Sequence, residues 1–385
     1  MAFIPYSRQA ITEADIEAVA DVLRSDFVTQ GPAISAFEQA FAARHQVAHA
    51  VALSNATAAL HIACMALGVG RDSRVWTSPN SFVASANCAL YCGASVDFVD
   101  IDPASRNMST SRLAEKLAQA GTEGKLPDVV IPVDFSGLPC DYAEIRELAD
   151  RYGFKILQDA SHATGASYQD KPVGGQFADA SVFSFHAVKI VTSAEGGMVT
   201  TQDADLAKKI ELLRSHGVTR DPGQMERESE GGWYYEQVDL GYNYRITDVQ
   251  AALGLSQLKR VDTMQAERQA RSDRYDALLG DLPVKLPLRS ADRVSAWHLY
   301  VIELADDAKC DRATLFRALR DADIGANMHY IPIHTHPYYE RMGFKRGDFP
   351  ASVAYYENAV TIPLFPAMTD EEQDFVVDTI RKAVT

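Results

Sequence analysis

Short apolar runs alternate with helical patterns from residue 48 to residue 201, and this alternation constrains the fold more than any other feature of the chain. The runs are HAVALS, SRVWTS, SVDFVD, DVVIPVDF, FKILQD, ASVFSF and GMVTT. Between them lie segments such as CDYAEIRELADRY, in which apolar residues recur at the spacing of one helical stripe. Apolar strands that alternate with helices predict an α/β fold, with a mostly parallel central sheet flanked by helices. Ligands of such sheets bind beyond the carboxyl ends of the strands.

The sequence pattern changes near residue 246. A capping-box sequence, TDVQ, opens a helical pattern that continues as far as Leu279. Beyond a proline-containing stretch at 282–288, strand and helix patterns alternate, and one expected strand is IGANMHY at 324–330. We therefore predict two units: an N-terminal segment with a large cofactor-binding domain at 1–245, and a long connecting helix with a smaller α+β C-terminal domain at 246–385.

The charge balance and the cysteine content restrict the class of partner and the compartment. The chain has 37 basic and 52 acidic residues and a net charge of −15, so its surface repels nucleic acid and anionic membrane. Its five cysteines are an odd number without a CxxC pair, which is typical of a reducing compartment. The start shows no signal-peptide pattern, and no apolar stretch reaches the ~18 residues of a membrane helix. We expect a cytoplasmic protein that binds neither nucleic acid nor membrane.

Common catalytic motifs are missing from the sequence. It contains no GxGxxG, GxxxxGK[ST], GxSxG or HExxH, which argues against a dinucleotide enzyme, a P-loop kinase, a serine hydrolase and a zincin. His329, His334 and His336 lie within eight residues, but no cysteine or carboxylate is near them in the sequence. We therefore favour a loop that lines a substrate cleft over a metal site, and we expect no bound metal.

Three chemically distinct groups follow strands of the expected parallel sheet. Asp159 ends one strand, Lys189 follows another, and Thr57 opens a helix just after a third. Pyridoxal phosphate needs a lysine for its aldehyde and a carboxylate for its pyridinium nitrogen, so Lys189 and Asp159 suit that cofactor. The amide groups at the helix start, with the Ser184 hydroxyl, could bind its phosphate. Phe82 could cover its ring.

Each of these residues also has a simpler interpretation. A lysine after a strand is usually solvated, and an aspartate or threonine there is often only a helix cap. Taken together, and with the glycine pair Gly196-Gly197 to allow close backbone approach, the set favours a cofactor site.

Four segments resemble the DegT-type nucleotide-sugar aminotransferase family. SVFSFHAVKIVTSAEGGMVTT resembles the family's lysine segment, and QDASHATGASY its aspartate segment. SNATAALHIA is similar to its phosphate-binding turn, and DLGYNYRITDVQAALGLSQLKRVD to its GYNYR helix. The resemblance extends over nearly the whole chain. It implies a pyridoxal-phosphate-dependent enzyme of fold type I, at least a homodimer, with each active site at the subunit boundary.

The resemblance also implies residue roles. Lys189 would bond the cofactor and Asp159 would hold its ring nitrogen. His162 would pack near the ring, and Phe82 would stack on it. The phosphate of the cofactor would be held by Thr57, Ala58 and Ser184 and by Asn243 of the neighbouring subunit.

Within the family, AFIPYSRQ, PVDFSG, MHYIPIHTHPYY and GFKRGDFP are most similar to the enzymes that serve pseudaminic acid biosynthesis. This likeness implies amination of a UDP-linked 4-keto-6-deoxy amino sugar with L-glutamate as donor. The residues expected to line the sugar-nucleotide cleft are Tyr6, Asp26, Phe27, Val28, Thr29, His329, Tyr330, Ile331, Pro332 and Tyr338. The alternatives are an aminotransferase for another dTDP- or GDP-linked keto sugar, or a non-catalytic regulator that binds pyridoxal phosphate. A related lyase or dehydratase is disfavoured, because such dehydratases have histidine in place of the lysine.

Overall fold

The computed structural model describes residues 3–385. Its strands are β1 His49–Leu53, β2 Arg74–Thr77, β3 Ser95–Phe98, β4 Val129–Ile131, β5 Lys155–Asp159, β6 Ser167–Tyr168, β7 Lys171–Pro172, β8 Ala180–Ser184, β9 Gly197–Thr201, β10 Val218–Thr219, β11 Glu236–Gln237, β12 Val284–Lys285, β13 Arg293–Val294, β14 Tyr300–Leu304 and β15 Ala359–Ile362. Its α-helices are α1 Glu13–Arg24, α2 Pro32–His45, α3 Ala56–Ala66, α4 Ala84–Tyr91, α5 Thr110–Glu123, α6 Tyr142–Tyr152, α7 Ala204–Arg214, α8 Asp248–Leu258, α9 Val261–Leu279, α10 Arg312–Asp321, α11 Pro337–Glu340, α12 Pro350–Asn358 and α13 Asp370–Val384. Short 3₁₀ turns lie at Phe135–Gly137, Ile333–Thr335 and Arg346–Asp348.

The central sheet has seven strands in the order β1-β9-β8-β5-β4-β2-β3. From β8 to β3 all neighbouring pairs are parallel, whereas β9 is antiparallel to both β8 and β1. These strands coincide with the seven apolar runs of the sequence, so the predicted α/β fold with a mostly parallel sheet is confirmed.

Both faces of the sheet are buried, because successive side chains of a strand point to opposite faces. Val51 and Leu53 pack with α3, α4 and α7 on one face, whereas Ala52 packs on the other face with α2, α8 and α9. In the other half of the sheet, Trp76 and Val130 pack against α5 and α6. Two covered faces explain why the strands have apolar runs instead of alternation.

The strand directions bring several carboxyl ends to one edge of the sheet. Leu53 of β1 and Ser184 of β8 both pair with Gly197, the first residue of the antiparallel β9. Asp159 pairs with Val182, so it lies at the same edge. This edge therefore gathers segments that are far apart in the sequence.

The C-terminal part builds a second, smaller layer. Its three-stranded antiparallel sheet has the order β12-β14-β15, and α10 and α13 cover it. Tyr300, Ile302, Val360 and Ile362 of this sheet pack with Leu315 in a separate apolar core. The arrangement is the α+β layer that the sequence predicted.

The position of the domain boundary stays a prediction. Both capping boxes after residue 246 form as expected, at Thr247 and Thr369. Contacts cross the proposed boundary in both directions, since Ile4 packs in the C-terminal core and α8 packs against α1 and α2.

Two local expectations are wrong. The helical stretch that continues to Leu279 is broken between α8 and α9, where Gln257 and Arg260 both turn to the buried Asp15 of α1, at 2.8 and 2.7 Å. The segment 324–330 forms only isolated bridges, because its backbone pairs first with Ile4 and then with Thr361. In both places a tertiary partner overrides the local pattern.

Candidate active site

A cleft of about 680 Å³ opens at the edge where the strands of the central sheet end. Residues from the sheet edge, from the N-terminal segment and from the C-terminal part line it. They are Tyr6, Asn55, Ala56, Thr57, Leu60, Ser81, Phe82, Ala84, Ser85, Val133, Asp159, Ser161, His162, Ser184, His186, Val188, Lys189, Glu195, His298, His329 and Tyr330. Thr57, Asp159 and Lys189, which the sequence pattern placed after three different strands, therefore line one cavity.

Lys189 is carried by the loop that joins the antiparallel strands β8 and β9. The loop closes on itself, because Phe185 donates to the Gly196 carbonyl and accepts from the Ser193 amide, both at 2.9 Å. Within it, the Lys189 amide donates to the His186 carbonyl at 2.9 Å and forms a turn. Strands on both sides therefore hold the lysine in a fixed place at the cleft.

Burial lowers the pKa of the Lys189 amine to about 8, and the negative charge of Asp159 opposes this shift without cancelling it. Desolvation disfavours the charged ammonium, so the neutral and nucleophilic amine is populated closer to neutral pH than in a solvated lysine. A lysine of this kind is suited to bond an aldehyde and to accept a proton.

The carboxylate of Asp159 is held by two donors. The Ser85 hydroxyl lies 2.6 Å from Oδ2, and the Ser161 amide donates to Oδ1 at 3.1 Å. Ser85 is in turn 2.7 Å from the Ser81 hydroxyl. These bonds fix the orientation of the carboxylate, which is only 4% exposed and faces the cleft.

The start of α3 provides an anion-binding end within the cleft. The first amides of a helix have no intrahelical acceptor, and the helix dipole makes this end positive. The Asn55 side chain caps the Ala58 amide at 2.8 Å, whereas Thr57 and Ser184 present hydroxyl groups at the cleft wall.

The glycine pair allows this helix start to sit against the sheet. A Cβ on Gly197 would lie 2.6 Å from the carbonyl group of Asn55 and 2.8 Å from the Ala56 amide. Only glycine fits such a close backbone approach. The close approach expected of Gly196-Gly197 is thereby confirmed at Gly197.

Three imidazoles that line the cleft are neutral. Burial lowers the pKa of His162 and of His298 well below the usual value, and that of His329 to about 3. The positive charge of Lys189 lowers all three further. The rings of His162 and His298 lie 4.4 Å apart.

The residues of the cleft fit pyridoxal phosphate. A half-buried lysine and a buried carboxylate line the same cavity, a helix N-terminus faces it, and an aromatic ring, that of Phe82, lies at its wall. These are the donor, acceptor and stacking groups that the cofactor requires. Clusters of three or more histidine, cysteine or acidic residues that could hold a metal ion do not occur within residues 3–385.

Comparison with known proteins identifies the family. The model of the DegT/DnrJ/EryC1/StrS aminotransferase family matches residues 9–381. The chain belongs to this family. It is a pyridoxal-phosphate-dependent sugar aminotransferase, since its family and structural neighbours are enzymes of this kind.

Three relatives of this aminotransferase cover its whole length. The Bacillus subtilis spore coat polysaccharide biosynthesis protein SpsC is 38% identical over 386 residues, covering 99% of this chain and 97% of SpsC. Helicobacter pylori PseC, an aminotransferase involved in the biosynthesis of pseudaminic acid, is 30% identical with a TM-score of 0.89, covering 99% of both chains. The Streptococcus pneumoniae protein Spr1654, in its PLP form, is 30% identical with a TM-score of 0.88, covering 99% of this chain and 98% of that one.

Not all residues proposed for the aminotransferase site lie in the cleft of a single chain. Tyr6, His329 and Tyr330 line it, together with the proposed cofactor residues Thr57, Phe82, Asp159, His162, Ser184 and Lys189. Ala58 is buried behind the cleft wall, and Pro332 is buried outside the cleft. The remaining proposed residues are exposed on this chain, and they are Asp26, Phe27, Val28, Thr29, Asn243, Ile331 and Tyr338.

Several residues of the site were not anticipated from the sequence. Ser81 and Ser85 follow strand β2, whose carboxyl end lies at the same edge, so a search for polar side chains after every parallel strand would have found them. His298 precedes β14 in the C-terminal part and reaches the cleft only through tertiary packing. No local signal in the sequence marks it.

The lowered pKa of Lys189 predicts how the acetylation of its amine depends on pH. With a pKa of about 8, roughly one amine in ten is neutral at pH 7, compared with fewer than about one in a thousand for an ordinary lysine. After removal of bound cofactor, acetylation of Lys189 should therefore rise with pH, reach half its maximum near pH 8 and level off above about pH 9. Mass spectrometry after competitive labelling with acetic anhydride measures this, with the exposed Lys208 as internal reference. Identical pH profiles for the two lysines would contradict the assignment.

Proposed function

We propose that this aminotransferase transfers the amino group of L-glutamate to C4 of a UDP-linked 4-keto-6-deoxy amino sugar, as in the pseudaminic acid pathway. The observation that carries the proposal is the convergence of Lys189, Asp159 and the start of α3 in one cleft. The choice of sugar is supported by the likeness to PseC over the whole chain and by the segments that contain Tyr6, His329 and Tyr330. All three of these residues line the cleft.

Different residues of the cleft have different roles in the proposed reaction. When bound, pyridoxal phosphate supplies an aldehyde that takes up the amino group and a ring that withdraws electrons. Lys189 is the base that removes the proton from Cα of glutamate and delivers a proton to C4 of the sugar. Asp159 would hold a proton on the ring nitrogen, and the start of α3 with Thr57 and Ser184 would bind the phosphate.

The proposed active site includes a second copy of the chain. Lys189 is the one lysine or arginine among the cleft-lining residues of the described chain, yet a nucleotide sugar and glutamate both carry negative charge. We propose that the partner in a homodimer adds the remaining contacts. Asn243 and the Asp26–Thr29 loop are exposed on this chain and are available for further contacts, although they carry no cation and do not supply the missing positive charge.

The compartment is also part of the proposal. Nucleotide sugars and glutamate are cytoplasmic metabolites, and we place the enzyme there on the basis of its substrates. No helix within the described residues is long and apolar enough to cross a membrane.

A substrate panel tests the proposed reaction. The holoenzyme is given glutamate and, separately, the 4-keto precursor of UDP-4-amino-4,6-dideoxy-N-acetyl-β-L-altrosamine and dTDP- and GDP-linked 4-keto-6-deoxy sugars. We expect amination of the UDP sugar at a kcat/KM at least about 100-fold above the others, measured by mass spectrometry of the product. A higher kcat/KM for a dTDP or GDP sugar would refute the nucleotide assignment. Loss of the cofactor's visible absorbance with glutamate alone is the control, since it reports the first half-reaction independently of the sugar.

A further inference from the structure

A chain of hydrogen bonds runs from the backbone of Ser136 to the cleft. The Ser136 amide donates to Nδ1 of His162 at 3.2 Å, and Nε2 of His162 lies 3.1 Å from the Tyr330 hydroxyl. The His162 and Tyr330 rings are nearly parallel, with an angle of 22° between their planes. Both side chains line the cleft that contains Lys189.

The backbone amide determines which nitrogen of His162 carries the proton. An amide N–H can only donate, so Nδ1 must accept and cannot be protonated. The pKa of His162 lies well below its usual value because of burial and the charge of Lys189, so the ring is neutral. A neutral ring has one proton, and it must therefore be on Nε2.

The proton on Nε2 in turn orients the Tyr330 hydroxyl. Nε2–H donates to the phenol oxygen, which leaves the O–H proton of Tyr330 without a partner in this pair. Among residues 3–385 this hydroxyl makes no other hydrogen bond to the protein. Burial raises the pKa of Tyr330, and Asp159 adds to the shift, so the phenol keeps its proton. Tyr330 thus offers a fixed donor to a ligand in the cleft.

We propose that Tyr330 is a specificity-determining residue that donates this hydrogen bond to the keto oxygen of the sugar substrate. The inference rests on the proposed function and adds a role for one side chain. Of the two substrates, only the keto sugar has a carbonyl oxygen on its reacting carbon, and glutamate has a hydrogen and an amine there. Glutamate gains a keto oxygen only when water is added at the end of its half-reaction, after the cofactor's absorbance has changed. A donor fixed in the same cleft as Lys189 therefore acts on the keto sugar as it binds and reacts, and does not affect the absorbance change with glutamate.

The two half-reactions of Tyr330→Phe test this role, because the substitution removes only the hydroxyl. Single-turnover experiments on the holoenzyme follow the cofactor's absorbance with glutamate alone and, after conversion to the amine form, with the UDP-linked 4-keto sugar alone. We expect the sugar half-reaction to slow about tenfold or more, the order of one lost hydrogen bond, and the glutamate half-reaction to stay within about twofold. Equal slowing of both halves would show that the hydroxyl serves the cofactor and would overturn the proposal, as would unchanged rates in both.

A binding measurement provides a readout that does not depend on turnover. The aldehyde form of the enzyme cannot aminate the keto sugar, so the Kd values of the UDP-linked 4-keto sugar and of its 4-deoxy analogue can be compared by calorimetry. The wild-type enzyme should prefer the keto sugar by about tenfold, and Tyr330→Phe should lose this preference. If the variant retains the full preference, the keto oxygen is bound elsewhere and the proposal is wrong.

Matched controls separate this inference from the proposed function. Tyr356→Phe removes a tyrosine hydroxyl on α12, outside the cleft lining, and should leave both half-reactions and the binding preference unchanged. If the wild-type enzyme reacts with glutamate but aminates a different keto sugar, the substrate proposal fails. The Tyr330 comparison is then made with that sugar and still decides the role of the hydroxyl.

Discussion

Lys189→Ala is expected to lower transaminase turnover by on the order of 10⁴-fold, the largest effect of any single substitution in this chain. The change removes both the amine that bonds the cofactor and the base that moves the proton. The amine lies in a loop held by β8 and β9, and alanine is compatible with the backbone turn at this position, so the fold should be retained. Turnover with glutamate and the keto sugar measures the loss.

Two further variants distinguish the chemistry of Lys189 from its charge. Lys189→Arg keeps a positive charge but cannot supply a neutral amine, so it should be as inactive as the alanine variant. Lys208→Ala removes an exposed lysine, with a side chain 64% accessible, and should retain full activity. Borohydride reduction of the wild-type holoenzyme should attach the cofactor to residue 189, identified by mass spectrometry. Turnover near the wild-type rate in Lys189→Ala would exclude this lysine from the reaction.

Asp159→Asn is expected to lower kcat by about 10²- to 10³-fold, the usual cost of removing one oriented charge from an active site. Asparagine keeps the shape of the side chain. Its one amide oxygen can still accept from the Ser161 amide, and its NH2 group can donate to the Ser85 hydroxyl in place of the bond that Asp159 accepts. It has no negative charge to hold a proton on the ring nitrogen. Steady-state kinetics measure the loss, and circular dichroism with thermal unfolding shows whether the fold is retained.

The control for Asp159 is another aspartate-to-asparagine change outside the cleft. The Asp205 side chain is 97% accessible on α7, and Asp205→Asn should leave kcat unchanged. An Asp159→Asn enzyme that is folded and fully active would remove Asp159 from the proposed role. A variant that fails to bind the cofactor would show instead that the carboxylate is required for binding, which the absorbance of the purified protein reveals directly.

Much of the large sheet could be predicted from local patterns. Most of its strands are buried on both faces and are therefore largely apolar, so hydropathy reveals them. The edge strand β3 differs, because Ser95 and Asp97 alternate with the buried Val96 and Phe98. The helix starts at Thr247 and Thr369 were predictable for a similar reason, because a capping box lies within four consecutive residues. The segment 324–330 could not be assigned in this way, since its backbone pairs with Ile4 and Thr361, which are far away in the sequence.

In the candidate site, too, some residues could be predicted from local sequence patterns and others could not. Lys189, Asp159 and Thr57 could be proposed because they directly follow apolar strands, and the parallel topology brings such positions to one edge. His298 could not be proposed, because its contact with His162 depends on how the C-terminal part packs on that edge.

By itself, then, the sequence determined the α/β class, the strand ends and the family, since these depend on local periodicity and short motifs. The tertiary structure decided which side chains face each other, how much the Lys189 amine is desolvated and which nitrogen of His162 carries a proton. These properties arise from burial and from hydrogen bonds between distant segments, and neither exists until the chain has folded.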